Sequence, residues 1–218
     1  MNRRGIVRAS EKFAKKHLAK GDPGHDFWHA VRVRNNAEII NKEEKGDWFV
    51  IQLAALLHDV GDRKIMGTAE DDHSLTRKFL KKQKVAEDVF GAVMNIVENM
   101  SFSQSLSQKN LKKSIEFKVV QDADRLDSIG AIGIARCFSY GAKRGRPLYN
   151  PEKIANQIST TKKYVKMMSP SSLHHFDEKL FFLKDLMNTR TAKKIATKRH
   201  AYMKEYVIQF KKEWEGKK

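Results

Sequence analysis

Four residues in this 218-residue chain combine metal-binding chemistry with telling positions: His29, the adjacent pair His58-Asp59, and Asp124. Two imidazoles and two carboxylates make a mixed nitrogen and oxygen donor set. Such a set suits one divalent ion, Mn²⁺, Fe²⁺ or Mg²⁺, with positions left for water and substrate. His-Asp dipeptides arise by chance, so the setting of each residue decides its weight. His58 and Asp59 close the run WFVIQLAALLHDV. Two polar side chains at the end of so apolar a helix are costly unless something pairs with them. Successive helix residues diverge by about 100°, yet at a helix end both can reach an ion lying between the two directions. His29 sits among Phe27, Ala30, Val31 and Val33, and Asp124 lies beside Val119, Val120, Leu126 and Ile129.

The elements that must position these residues are helical. Apolar residues recur with helical period nearly everywhere, and no alternating strand pattern or internal repeat is present. The pattern predicts helices over about 2–20, 26–45 (with Asp26 as N-cap), 47–60 (capped by Asp47), 70–83, 86–99, 114–140, 152–168, 173–187 and 189–215. Gly61 ends the third. SFSQSLSQKN (101–110) reads as a surface loop, and AKRGRPLYNP as a loop dense in positive charge. The small residues of GAIGIARCFSYG let another helix approach closely. No stretch suits a domain boundary. The expectation is therefore one all-α domain over 1–218, a helical bundle with its metal-binding core at about 24–140 and C-terminal helices at about 152–215 packed on it.

Composition narrows the classes further. A single cysteine, Cys137, excludes an intramolecular disulfide framework and a cysteine-based zinc site, and its apolar surroundings mark it as a small buried hydrophobe. No run of about 18 apolar residues occurs, and the start MNRRGIVRASEKF lacks the apolar segment of a secretory signal; a cytoplasmic protein is expected. The formal net charge of +17 favours anionic partners: nucleotides, other phosphate esters or nucleic acid. The Lys and Arg residues are spread over most helices and no aromatic-interleaved RNA-binding pattern is present, so a phosphate-bearing small molecule is preferred to nucleic acid.

The H…HD…D pattern resembles the HD-domain superfamily of metal-dependent phosphohydrolases. GHDFWHAVRV, LAALLHDVGD, VQDADRLDSIGAIGIAR, GRPLY, HHFDEKLFFLKDLMNT and FKKEWEG resemble one branch, the small bacterial predicted HD hydrolases. The resemblance implies an all-helical fold with His29, His58, Asp59 and Asp124 as metal ligands, and hydrolysis of a phosphate ester or anhydride by activated water. Asp62 resembles an acidic residue similarly placed in HD-type nucleotide hydrolases and is assigned with Asp59 to catalysis. Two-metal members carry extra histidines between the HD pair and the last Asp. Here His73 is one candidate, but Met100 stands in ENMSFS where this branch leads one to expect histidine, so one ion is expected and His73 is assigned to substrate or water.

Charge developing on phosphate needs cations, and Lys64, Arg125 and Arg146 lie beside the ligand motifs or in the basic loop. For Arg125 an ion pair with Asp122 or Asp127 is the alternative. His25 and Asp26 precede His29 by four and three residues and are candidates for fixing its tautomer, although Asp26 also suits a simple cap. His175, from the phrase HHFDEKL, is a candidate to contact substrate. His17 and His200 read as surface residues, and Phe176, Phe181, Phe182 and Phe210 as core. Two other readings stay open: a non-catalytic basic module binding nucleotide or nucleic acid, and an iron oxygenase of the same fold, against which Met100 counts.

Overall fold

The computed structural model describes residues 2–19, 24, 26–62, 72–101, 112–155 and 169–218. All regular structure among them is helical. The chain groups into two compact units, residues 1–124 and 125–218.

In the first unit, α1 spans Arg3–His17, α2 Phe27–Glu44, α3 Trp48–Leu57, α4 Ser74–Lys82 and α5 Glu87–Asn99, and α6 begins at Ile115 and runs to Asp127. Three of these starts follow from local capping chemistry. The side chains of Asn2, Asp26 and Asp47 accept from the backbone N–H groups of Gly5, His29 and Phe49 at 2.8, 2.8 and 2.7 Å. The α3 helix lies at the centre, with Ile51 and the run Leu53 to Leu57 completely buried, and it packs on α1, α2 and α5. A helix apolar on all sides must be enclosed, and the amphipathic helices around it supply the enclosing faces.

The second unit begins at Arg125 in the last turn of α6 and contains α7 (Gly130–Lys143), α8 (His174–Glu178), a 3₁₀ segment over Leu180–Leu186, and α9 (Arg190–Trp214). Thr189 caps α9 by accepting from Ala192 N–H at 3.2 Å. Rings of Phe138, Phe176, Tyr206 and Phe210 pack at centroid distances of about 6 Å, with Phe176 fully buried.

Four expectations change. The helix predicted over 114–140 is two helices, broken where Ile129 is extended and Gly130 takes φ 77°. At Gly130 an added Cβ would meet Arg199 of α9 at 3.0 Å, so the residue also permits a close approach between α7 and α9. The 173–187 segment is a short α-helix followed by 3₁₀ geometry, separated at Lys179. Phe182 is 58% exposed rather than core. Residues 152–155 form turn and coil. The predicted loop at 102–110, the remainder of the 152–168 helix, and the candidates His25 and Lys64 lie outside the described residues.

Candidate metal centre

His29 projects from the first turn of α2, His58 and Asp59 from the C-terminal end of α3, and Asp124 from α6. His29 approaches each of the other three. His29 Nε2 lies 3.2 Å from His58 Nε2, 3.5 Å from Asp59 Oδ2 and 3.3 Å from Asp124 Oδ1. Asp59 Oδ1 is 3.3 Å from His58 Nε2. Metal–ligand bonds of about 2.0–2.2 Å at tetrahedral or octahedral angles place neighbouring donor atoms roughly 3.0–3.5 Å apart. The observed separations fall in that interval.

The chemistry of the donors agrees with the spacing. His58 Nδ1 lies 2.9 Å from the carbonyl of Ala55. A carbonyl only accepts, so the proton belongs on Nδ1 and Nε2 turns a lone pair toward His29. His29, His58 and Asp59 are buried, whereas the Asp124 side chain is 30% exposed. Two ring nitrogens and two carboxylates so crowded, most of them out of water, form an arrangement that a cation stabilises. His29, His58 and Asp59 thus make a cluster able to hold a metal ion, and the more exposed Asp124 carboxylate lies 3.3 Å from its His29.

The remaining predicted site residues are placed as follows. Asp26 caps α2 through the backbone N–H of His29, so it fixes the turn that carries the ligand. Asp62 sits in the turn after the HD pair, its N–H bonded to the carbonyl of Asp59 at 3.1 Å. That turn is held by Gly61, at φ 91°, whose carbonyl accepts from Asp72 N–H at 2.8 Å. His73 is the N-cap residue of α4, and its Nδ1 is buried without a hydrogen-bond partner. Met100 is 5% exposed, and its carbonyl accepts from Gln121 Nε2 at 2.9 Å.

Arg125, Arg146 and His175 belong to the second unit. Arg125 is buried and its guanidinium donates to the carbonyl of Leu186; Asp127 pairs with Arg136 at 2.8 Å. His175 is joined to Ser169 and Glu178, two residues that the sequence analysis missed. For Glu178 the signal was its i,i+3 spacing from His175, whereas Ser169 left none. His17 and His200 are half-buried against the rings of Phe13 and Phe181, at 4.4 and 5.2 Å, rather than surface residues. Burial pushes the Cys137 thiol up to about 12.

Residues 27–129 match the HD domain family, a span that holds all four clustered side chains. YpgQ of Bacillus subtilis is 38% identical over 199 residues, covering 91% of this chain and 89% of YpgQ. The chain belongs to the HD-domain superfamily. Solved structures match along nearly their whole length. A Lactobacillus plantarum protein superposes with a TM-score of 0.85 at 39% identity, covering 96% of this chain and 97% of its own. An HD-superfamily hydrolase from Bacillus thuringiensis does so with a TM-score of 0.74 at 39% identity, covering 98% and 99%. YpgQ has been solved in complex with ADP, with a TM-score of 0.74 at 33% identity over 95% of this chain and 97% of that one. An HD-domain assignment supports a metal-dependent hydrolase.

Proposed function

We propose that this HD-domain protein hydrolyses a phosphate ester or anhydride, with a nucleotide as the favoured substrate class and one divalent ion, Mn²⁺, Fe²⁺ or Mg²⁺, as cofactor. The observation that carries the reading is the 3.2–3.5 Å packing of the His29, His58 and Asp59 donor atoms, with Asp124 Oδ1 3.3 Å from His29 Nε2. The nucleotide class is supported by the ADP bound to YpgQ and by the net charge of +17.

In this reading the four side chains hold the ion. Once bound, it supplies Lewis acidity, lowering the pKa of water and polarising a phosphoryl oxygen. The bond from His58 Nδ1 to Ala55 keeps the imidazole oriented with its Nε2 lone pair inward. Asp59 fills the space between the two imidazoles. Asp62 accepts the proton of the attacking water through its carboxylate, placed one turn beyond Asp59. Lys64 contributes positive charge toward the developing phosphate charge, and His73 contacts substrate or water. Met100 fills core in place of a further donor, which favours one ion over two and disfavours two-iron oxygen chemistry. No helix among the described residues is long and apolar enough to cross a membrane, consistent with a cytoplasmic nucleotide pool as the substrate source.

The test is a panel of nucleotides and simple phosphate esters assayed with metal-loaded wild type and Asp59→Ala. The expected outcome is product release by wild type that falls at least about a hundredfold in the variant. Equal release by both proteins contradicts the assignment.

A further inference from the structure

One short phrase occurs twice in the first unit, as KFAKK (12–16) on α1 and as KFLKK (78–82) on α4. The fold brings the two copies together. The rings of Phe13 and Phe79 stack at 4.2 Å with an interplanar angle of 16°. In a helix, the residues one before and three after a given position lie on the same flank of it, about 100° and 60° round the axis. The buried residues Ile6, Ser10 and Ala14 of α1, and Thr76 and Leu80 of α4, occupy the opposite flank of each phenylalanine. Lys12, Lys16, Lys78 and Lys82 therefore border the ring pair on its outer side, and all four are exposed.

Other cations of these two helices serve the fold itself. Lys15 Nζ lies over the Phe27 ring and Lys81 Nζ over the Phe90 ring, each 5.9 Å from the centroid. Arg77 pairs with Glu98, and Arg3 lies 3.9 Å from Asp47. The cations that remain are aligned. Arg4, Arg8, Lys12 and Lys16 recur every four residues and are exposed. They form one ridge of α1 that advances about 6 Å per step and about 18 Å in all. Lys78 and Lys82 flank its C-terminal part across the stacked rings. The neighbouring acids are engaged: Glu11 pairs with Arg34, and Asp72, ahead of α4, accepts from the N–H and hydroxyl of Ser74 at 2.9 and 3.0 Å.

We propose that this face of α1 and α4 binds the sugar-phosphate backbone of duplex nucleic acid without reading its sequence. A linear row of exposed positive charge matches a linear polyanion, whose condensed counterions it displaces. Neither α1 nor α4 exposes a large apolar side chain, and that separates the anionic partners. A helix lying in a bilayer interface needs an apolar face to bury. Single strands are held by bases stacking on open aromatic rings, whereas Phe13 and Phe79 face each other. Contacts to phosphate are what the face offers. It carries none of the clustered metal-binding side chains, which project from α2, the end of α3 and α6, and it stands apart from the hydrolytic reading.

Fluorescence anisotropy of short labelled DNA duplexes of unrelated sequence, titrated with full-length protein in chelator at several salt concentrations, tests this. The duplexes should bind alike, with log affinity falling linearly against log salt. Lys12→Gln combined with Lys16→Gln should weaken binding about tenfold or more at low salt and reduce the slope by about two. Lys78→Gln combined with Lys82→Gln should do the same. Lys193→Gln combined with Lys194→Gln, an equal change of charge at exposed positions of α9, should bind as wild type does, as should Asp59→Ala. Circular dichroism verifies that each variant is folded. A salt slope unchanged in both the α1 and the α4 pair overturns the proposal, as does an equal loss in the α9 pair, which is general surface charge. Tighter binding to the single strand, or binding to phosphatidylserine vesicles with none to duplex, also overturns it. Duplex binding that is lost in Asp59→Ala or requires added divalent ion places the contact at the metal centre instead and overturns it too.

Discussion

Replacing Asp59 with Asn removes one negative charge from the crowded centre while keeping the side-chain volume. Asp59 is 8% exposed and spans the two imidazoles, with one oxygen 3.3 Å from His58 Nε2 and the other 3.5 Å from His29 Nε2. In metal-free protein its charge has little water around it, so Asp59→Asn leaves the metal-free chain about as stable as wild type. The difference emerges with metal. A ligand at a free concentration 100 times its Kd stabilises the native state by about 2.7 kcal/mol. For a chain of this size each kcal/mol shifts Tm by about 2–4 °C, so wild type gains roughly 5–11 °C on adding Mn²⁺ at that excess. The Asn variant, binding far more weakly, gains less than about 2 °C. Thermal unfolding of chelator-stripped protein, followed by circular dichroism with and without Mn²⁺, measures both shifts. Equal shifts in the two proteins, or none in wild type at saturating metal, would refute the assignment of this cluster as the ion's site.

Three further outcomes follow from single residues. Gly61→Ala places a Cβ 1.8 Å from the Asp72 carbonyl oxygen at φ 91°, so urea unfolding should show a loss of at least about 2 kcal/mol; a loss under 0.5 kcal/mol, on the order of a surface substitution, would contradict the strain. Burial lowers the proton affinity of His17, His175 and His200, so the unfolded chain binds more protons than the folded one at mildly acidic pH. Stability from these groups is complete above the unfolded pKa of about 6.5 and declines as pH falls through and below it. Urea unfolding of metal-free protein at pH 7.5, 6.5 and 5.5 should follow that decline, with a shallower slope in His175→Gln, and a stability that rises toward pH 5.5 would exclude it. Cys137, with its thiol pushed up to about 12, should react with a thiol reagent at pH 8 far more slowly in native protein than in urea; equal rates would contradict its burial.

The helix starts at Asp26 and Asp47 were legible because a cap is a local interaction between one side chain and the next backbone N–H groups. The break at Ile129-Gly130 was not. Its small residues read equally well as packing positions, and the left-handed backbone is settled by the neighbouring chain at Arg199. Phe182 was misplaced because a period of 3.6 was applied to a segment whose 3₁₀ geometry turns every three residues. In the metal centre, polar residues ending an apolar helix advertised themselves, and the family phrases supplied the partners. The Ala55 carbonyl that orients His58, and the Ser169 hydroxyl that orients His175, come from backbone geometry and an irregular segment, which carry no periodic signal.

The most direct test of the central claim couples occupancy to turnover. Chelator-stripped protein is titrated with Mn²⁺ while the initial rate of phosphate-bond hydrolysis of a nucleotide is followed, and bound metal is measured in the same samples. The rate should rise in proportion to bound metal and level off at one ion per chain, with Asp59→Ala giving neither stoichiometric binding nor turnover. A rate independent of bound metal, or metal bound at one equivalent with no hydrolysis of any nucleotide or phosphate ester, would contradict it.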